Sequence, residues 1–188
     1  MRRPLIFAVV AVAGIALTAC VTSSRPASGP GVIAPQPAKP VDDVFFTGIW
    51  HEIIRNPMSI TDGCVVGETG FQRRADGGLF QRDTCRMGSA AGKEKVIAGP
   101  VTLLDPAARS KFRTDYQLFG FIPIRREYWV LDHAPGWFIM ATPDMKNLIG
   151  YTRAPPTQVT RAQADELAAR ARALGYAGAL EFPDHPAP

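Results

Sequence analysis

A chain of 188 residues, 46% hydrophobic and 20% charged, has room for one packed domain and is short for two of ordinary size. Its formal charge of +4 arises from scattered residues, with no basic stripe and interleaved aromatics of the kind that binds nucleic acid. His51, His133 and His185 stand far apart and no CxxC or HxxxH spacing occurs, so neither a metal nor a cofactor is expected. Residues 1–19 combine Arg2 and Arg3, an apolar run from Leu5 to Leu17, and small residues before Cys20, which is the layout of a secretory signal peptide. The run is about 13 residues long, whereas a membrane-crossing helix needs about 20. Without residues 1–19, Lys+Arg falls from 21 to 19 against 17 acidic residues, so the exported chain is close to neutral.

Leu17-Thr18-Ala19-Cys20 resembles the bacterial lipobox. The resemblance implies acylation of Cys20 and anchoring to a membrane, for which two or more acyl chains are needed. Val21 stands where an inner-membrane lipoprotein would carry Asp, which implies the outer membrane, with the domain on its periplasmic side. Residues 20–43 hold prolines at 26, 30, 35, 37 and 40, and this stretch reads as an extended tether. From residue 44 the chain turns to short β-type runs divided by turn signals. The runs are 48–55, 65–73, 79–86, 95–104, 110–116, 126–132, 137–142 and 147–153. Ala75-Asp76-Gly77-Gly78 marks the sharpest hairpin. Eight strands with short connections predict an all-β, up-and-down antiparallel barrel with one helix packed outside. That helix should start at the capping box Thr160–Gln163 and end at Gly175, with Leu167, Ala171 and Leu174 facing the barrel and Arg161, Arg170 and Arg172 facing solvent. Residues 183–188 form a tail, so the domain spans 44–182.

With Cys20 acylated, Cys64 and Cys85 form an even pair in an oxidising compartment, where a disulfide is the default. They flank the 75–78 hairpin, although perfect pairing about that turn would set Cys64 opposite a residue near 89. A bulge or an early turn must then absorb about four residues. Two free thiols on opposite strand faces are the alternative.

Phe46-Thr47-Gly48-Ile49-Trp50-His51-Glu52-Ile53-Ile54-Arg55 resembles the Gly-x-Trp signature that opens the first strand of lipocalins. Asp76-Gly77-Gly78-Leu79, Glu127 to Asp132, and Tyr151-Thr152-Arg153-Ala154-Pro155 resemble three further features of that family. His51 in place of a common Tyr, and Asp132-His133 in the sixth-strand motif, depart from it. The resemblance covers residues 45 to about 182 and implies that Gly48, Trp50 and Arg153 close one end of the barrel by a cation–π contact. It implies that Glu52, Tyr128, Val130, Phe138, Met140, Ile149 and Tyr151 face a ligand inside. Tyr116–Ile124 reads as an apolar loop at the open end, with Phe119, Phe121 and Ile122 as a portal lip.

The expected function is binding or carriage of a fatty acid or lysophospholipid in the cell envelope. One rival is an enzyme acting on a lipid or isoprenoid, although no Gly-x-Ser-x-Gly elbow occurs and His51-Glu52 lacks a second His. A second rival is a structural lipoprotein whose barrel is filled by its own side chains.

Overall fold

Strands form where β-branched and aromatic residues recur at every second position, and they stop where glycine, proline or aspartate permits a reversal. A computed structural model describes residues 33–118 and 120–183 and shows eight antiparallel strands closed into a barrel in sequence order. They are β1 (Gly48–Arg55), β2 (Cys64–Arg73), β3 (Leu79–Met87), β4 (Glu94–Leu103), β5 (Lys111–Leu118), β6 (Ile122–Ala134), β7 (Trp137–Ala141) and β8 (Leu148–Thr152). Every neighbouring pair is antiparallel, and β1 seals the barrel against β8 through the registers His51↔Thr152 and Arg55↔Ile149. The signal segment and Cys20 lie outside the described residues, as do Phe119 and residues 184–188.

Since β1 starts at the closed end, residues 56–63, 88–93, 119–121 and 142–147 connect strands at the open end. Residues 74–78, 104–110 and 135–136 connect them at the closed end. The helix α1 (Arg161–Ala173) lies on the outer wall and buries Ala164, Leu167 and Ala171. The expected capping box is formed: the Gln163 amide N–H donates to Thr160 Oγ1 at 3.3 Å, and the Thr160 N–H donates to Gln163 Oε1 at 2.8 Å. Leu167 joins Ile53, Ile54, Ile139 and Leu148 in one buried cluster between the helix and the strands' outer faces, and β8 is buried along its whole length. A Cβ on Gly150 would come within 2.6 Å of both Ile54 Cγ1 and Leu167 Cδ2, so only glycine lets the helix lie this close. Leu174 packs partly buried against the same cluster. The arginines of α1 are less free than expected. Arg161 lies 4.0 Å over Phe182, Arg170 lies 4.9 Å over Trp137, and Arg172 donates to the Tyr176 carbonyl at 2.9 Å.

The structure corrects the sequence expectation in three places. The apolar stretch 116–124 is not a loop: β5 and β6 continue through it in register, Tyr116↔Ile124 and Leu118↔Ile122, and the chain reverses between Leu118 and Ile122. Tyr116 and Ile124 belong to the inner cluster, which accounts for part of its apolar character. The expected tether also does more than space the domain. Ala34 and Val41 are 3% exposed, and residues 34–41 form a strap down the outer wall. The Ala34 N–H donates to the Pro143 carbonyl at 2.7 Å at the open end, and the Val41 N–H donates to the Ala108 carbonyl at 2.8 Å at the closed end. Between them Lys39 Nζ meets Asp132 Oδ1 at 2.8 Å. The third correction concerns register. β2 pairs with β3 as Gly67↔Cys85 and Cys64↔Met87, so a bulge at residues 64–66 shifts the ladder by one residue rather than four. Cys64 and Cys85 then sit diagonally, 5.6 Å apart at Cα, and are bridged.

Candidate ligand site inside the barrel

Side chains that point inward fall into two layers. The lower layer, at the closed end, is aromatic: Phe45, Phe46, Trp50, Phe71, Phe112 and Phe138 meet at ring-centroid distances of 4.6–5.9 Å, mostly edge to face. Arg153 covers this floor from outside, its guanidinium carbon 3.6 Å from the centre of the Trp50 ring. Its nitrogens donate to the carbonyls of Thr47, Ile49 and Val44, at 2.5, 3.1 and 3.0 Å, while Trp50 Nε1 donates to the Phe45 carbonyl at 3.1 Å. Gly48 takes a φ of 66°, and a Cβ there would stand 3.1 Å from Arg153 Nη1, so glycine is needed beside the guanidinium.

The seven residues expected to face a ligand all point into the barrel. Glu52 stands opposite Tyr151 in the β1–β8 ladder, and the others belong to the inner cluster. They are not equally open. Val130, Phe138, Met140 and Tyr151 are exposed by 1% or less and are packed by their neighbours. Tyr128 at 9%, Ile149 at 6% and Glu52 at 6% keep some accessible surface. Phe121 and Ile122 stand 73% and 42% exposed at the hairpin tip.

Above the floor lies a polar layer that sequence reading did not find. Asp83 is its centre. Thr69 Oγ1 and the Tyr116 hydroxyl each donate to its carboxylate at 2.5 Å, and Gln81 Nε2 donates at 2.9 Å. Thr114 Oγ1 in turn donates to Gln81 Oε1 at 2.6 Å, and the Tyr151 hydroxyl lies 3.2 Å from Thr69 Oγ1. The signal was present in β3, where Leu79, Gln81, Asp83 and Cys85 share one parity: if Leu79 faces inward, so does Asp83. Burial pushes the Asp83 carboxyl above its usual range, against the lowering effect of its three donors. Part of the residue's surface nevertheless stays accessible. No hydrogen bond of ordinary geometry fixes the Tyr128 hydroxyl among the described residues. Burial first, then the nearby Asp83, push its pKa upward.

The charges inside do not balance. Arg55 is 2% exposed and donates to Glu52 Oε2 at 2.9 Å, to Glu181 Oε1 at 2.5 Å and to the Cys64 carbonyl at 2.8 Å. Its charge is therefore shared by two carboxylates, and Asp83 forms no ion pair among the described residues. Burial pushes the Glu52 carboxyl up to about 7 in spite of Arg55. Glu52 also fills the space where a side chain on residue 67 would be, since a Cβ on Gly67 would lie 2.1 Å from its Oε2. Among the described residues no group of three or more His, Cys, Asp or Glu side chains is placed to hold a metal ion. Ile97, Ile124 and Met58 continue the inner cluster from the polar layer towards the mouth.

A profile described as a lipocalin-like domain matches residues 41–185. Insecticyanin from the tobacco hornworm Manduca sexta is similar in structure, with a TM-score of 0.60, 16% identity, and coverage of 80% of this chain and 85% of that one. A biogenic amine-binding protein is similar at a TM-score of 0.54 and 16% identity, over 80% and 84% of the two chains. The tryptamine complex of the amine-binding protein of Rhodnius prolixus gives a TM-score of 0.52 at 15% identity, over 74% and 78%. No curated protein sequence matches the chain.

Proposed function

The chain belongs to the lipocalin family, and on that premise we propose that it is a lipid-anchored carrier of the bacterial envelope that holds one small amphiphile with an amine head. The observation that carries this reading is Asp83, a largely buried carboxylate with three hydrogen-bond donors and no ion pair among the described residues. A buried charge needs a partner or a proton, and a ligand ammonium group would supply the partner. With its head at Asp83, the ligand's apolar body would run past Tyr128 and Ile149 towards Ile97, Ile124 and Met58 at the mouth. Of the lipid classes the sequence resemblance implies, a lysophospholipid with an amine head fits this polarity. A fatty acid would bring a second anion towards Asp83 and Glu52. Two of the similar structures are amine-binding proteins, but at 15–16% identity they support the fold, and the argument for an amine rests on Asp83.

The anchor, through acylated Cys20, and the outer-membrane location belong to the same proposal and rest on the lipobox. Carriage is preferred to catalysis because Glu52 is held by Arg55 at 2.9 Å and Asp83 by three donors, so that each carboxylate is fixed in place by its own neighbours. One observation favours a structural lipoprotein instead, namely the complete packing of Val130, Phe138, Met140 and Tyr151. Calorimetric titration with dodecylamine and with dodecanoate, which share a chain length and differ in head charge, separates the readings. Dodecylamine should bind, and Asp83→Asn should weaken it by about tenfold or more, the equivalent of about 1.4 kcal/mol. Tighter binding of dodecanoate would remove the amine assignment, and binding of neither would leave the filled barrel.

A further inference from the structure

The strap of residues 34–41 determines where the tether leaves the domain. If the chain left the barrel wall at residue 41, the anchor would hang from the closed end. Instead the strap returns along the wall, and Ala34 is fixed to Pro143 in the β7–β8 connection at the open end. Only twelve residues, 21–32, then separate Cys20 from Ile33. Even fully extended at about 3.1 Å per residue, they span about 40 Å.

The open end also carries the surface that a bilayer would accept. Ile33, Ile60, Phe121 and Ile122 are exposed there by 72, 44, 73 and 42%. Phe121 and Ile122 form the tip of the long β5–β6 hairpin, and Ile60 lies in the β1–β2 connection. Lys93 and Lys95 beside the start of β4, and Arg126 four residues below the tip on β6, form no ion pair among the described residues, and neither do Asp62 and Glu127. Arg125 and Lys146 pair with Asp115 and Asp144. At the opposite end, the exposed Val44 and Leu104 lie among Asp42, Asp43, Asp76 and Asp105, and Arg73, Arg74 and Arg109 pair with two of these acids.

We infer that the barrel docks mouth-first on the anionic bilayer that holds its own acyl anchor, with Phe121 and Ile122 as the inserted tip. The inference rests on the acylated reading of Cys20 and adds an orientation to it. Aromatic and aliphatic side chains at the tip supply apolar insertion, and the unpaired lysines and Arg126 supply attraction to acidic head groups. A ligand leaving its place beside Asp83 would then pass directly into lipid rather than through water.

The test uses the full-length acylated protein on vesicles of phosphatidylethanolamine and phosphatidylglycerol in a 3:1 ratio. Spin labels are attached through Phe121→Cys in one sample and Asp76→Cys in another, both on exposed turns whose substitution leaves the core intact. Cys64 and Cys85 are bridged and do not take label. Flotation is measured first, beside a Cys20→Ser control. If the unsubstituted protein floats no better than that control, the anchor reading fails and the orientation falls with it. If it floats, relative accessibility to oxygen and to an aqueous nickel complex decides. The label at 121 should favour oxygen and the label at 76 should favour nickel. A reversal of that order, or nickel preference at both sites, overturns the docking while leaving the anchor in place.

Discussion

Raising the pH from about 4.5 to 7 should destabilise this domain through Glu52. The carboxyl lies at 6% exposure, against Gly67 and beside Arg55, and burial lifts it from 4.5 to about 7. Below about pH 4.5 the folded and unfolded chains both carry the proton, and the full stability is present. Between 4.5 and 7 the unfolded chain releases it while the folded chain retains it, so stability falls and the loss is complete once the pH has passed the folded value. At 1.36 kcal/mol per unit the gap amounts to about 3 kcal/mol, a large share of the 5–15 kcal/mol typical of a domain. Asp83, also pushed up by burial, acts in the same direction. Asp43, Asp115 and Asp144, whose pKa values are lowered, act oppositely, but only as the pH falls below about 4. Urea midpoints between pH 4.5 and 7.5, compared for the unsubstituted chain and Glu52→Gln, isolate the effect. The variant should lose most of the slope in this window. A stability that rises from pH 4.5 to 7, or an identical slope in both proteins, would refute the placement of a strained carboxyl inside the barrel.

Trp50→Ala should cost about 3–5 kcal/mol, as for other buried aromatics, because it removes the ring packed 4.8 Å from Phe138 and 3.6 Å from Arg153. Arg153→Ala should be non-additive with it, and a double-mutant cycle in denaturant that returns zero coupling would show that the stacking carries no energy. Alkylation without reductant should leave Cys64 and Cys85 unlabelled. Replacing both with Ser should cost about 3 kcal/mol, since the bridge closes a loop of 21 residues, and equal stability with and without it would contradict that estimate.

Strand positions were legible in the sequence because glycine, proline and aspartate mark reversals at nearly every connection. Gly48–Arg55 is both the expected and the observed first strand. The helix was legible from Thr160 and Gln163, whose reciprocal bonds are local. Sequence reading went wrong where one local property had two tertiary outcomes. The apolar run 116–124 resembles a loop rim until Gly120, with a φ of 80°, is seen to reverse it as a tight hairpin. Proline-rich residues 34–41 have no element of their own, and the burial of Ala34 and Val41 depends on a wall built from residues about 70 to 110 positions further along the chain. Asp83 was missed for a different reason. A carboxylate in a strand is read as outward by default, and its inward position follows only from the parity it shares with Leu79. Glu52 was found through its place after the Gly-x-Trp motif, but its ion pair with Arg55 required the bulge between Glu52 and Ile54, which turns both residues inward.

The seam between β1 and β8 has a consequence for the order of assembly. Every other pairing joins strands adjacent in sequence and can form soon after its turn, whereas this one joins residues about 100 apart and pays a larger loop-closure entropy. The barrel therefore cannot shut until almost the whole domain has emerged. What shuts it is then covered: Ile54 from one side of the seam and Gly150 from the other meet Leu167, so helix α1 lies across the joint as a clasp. The Arg55–Glu181 bridge fastens the same strand again beyond the helix. Until β8 arrives and the seam closes, β1 is an unpaired edge, able to recruit a strand from another chain. The arrival of β8 thus governs whether the sheet closes upon itself or remains available to its neighbours.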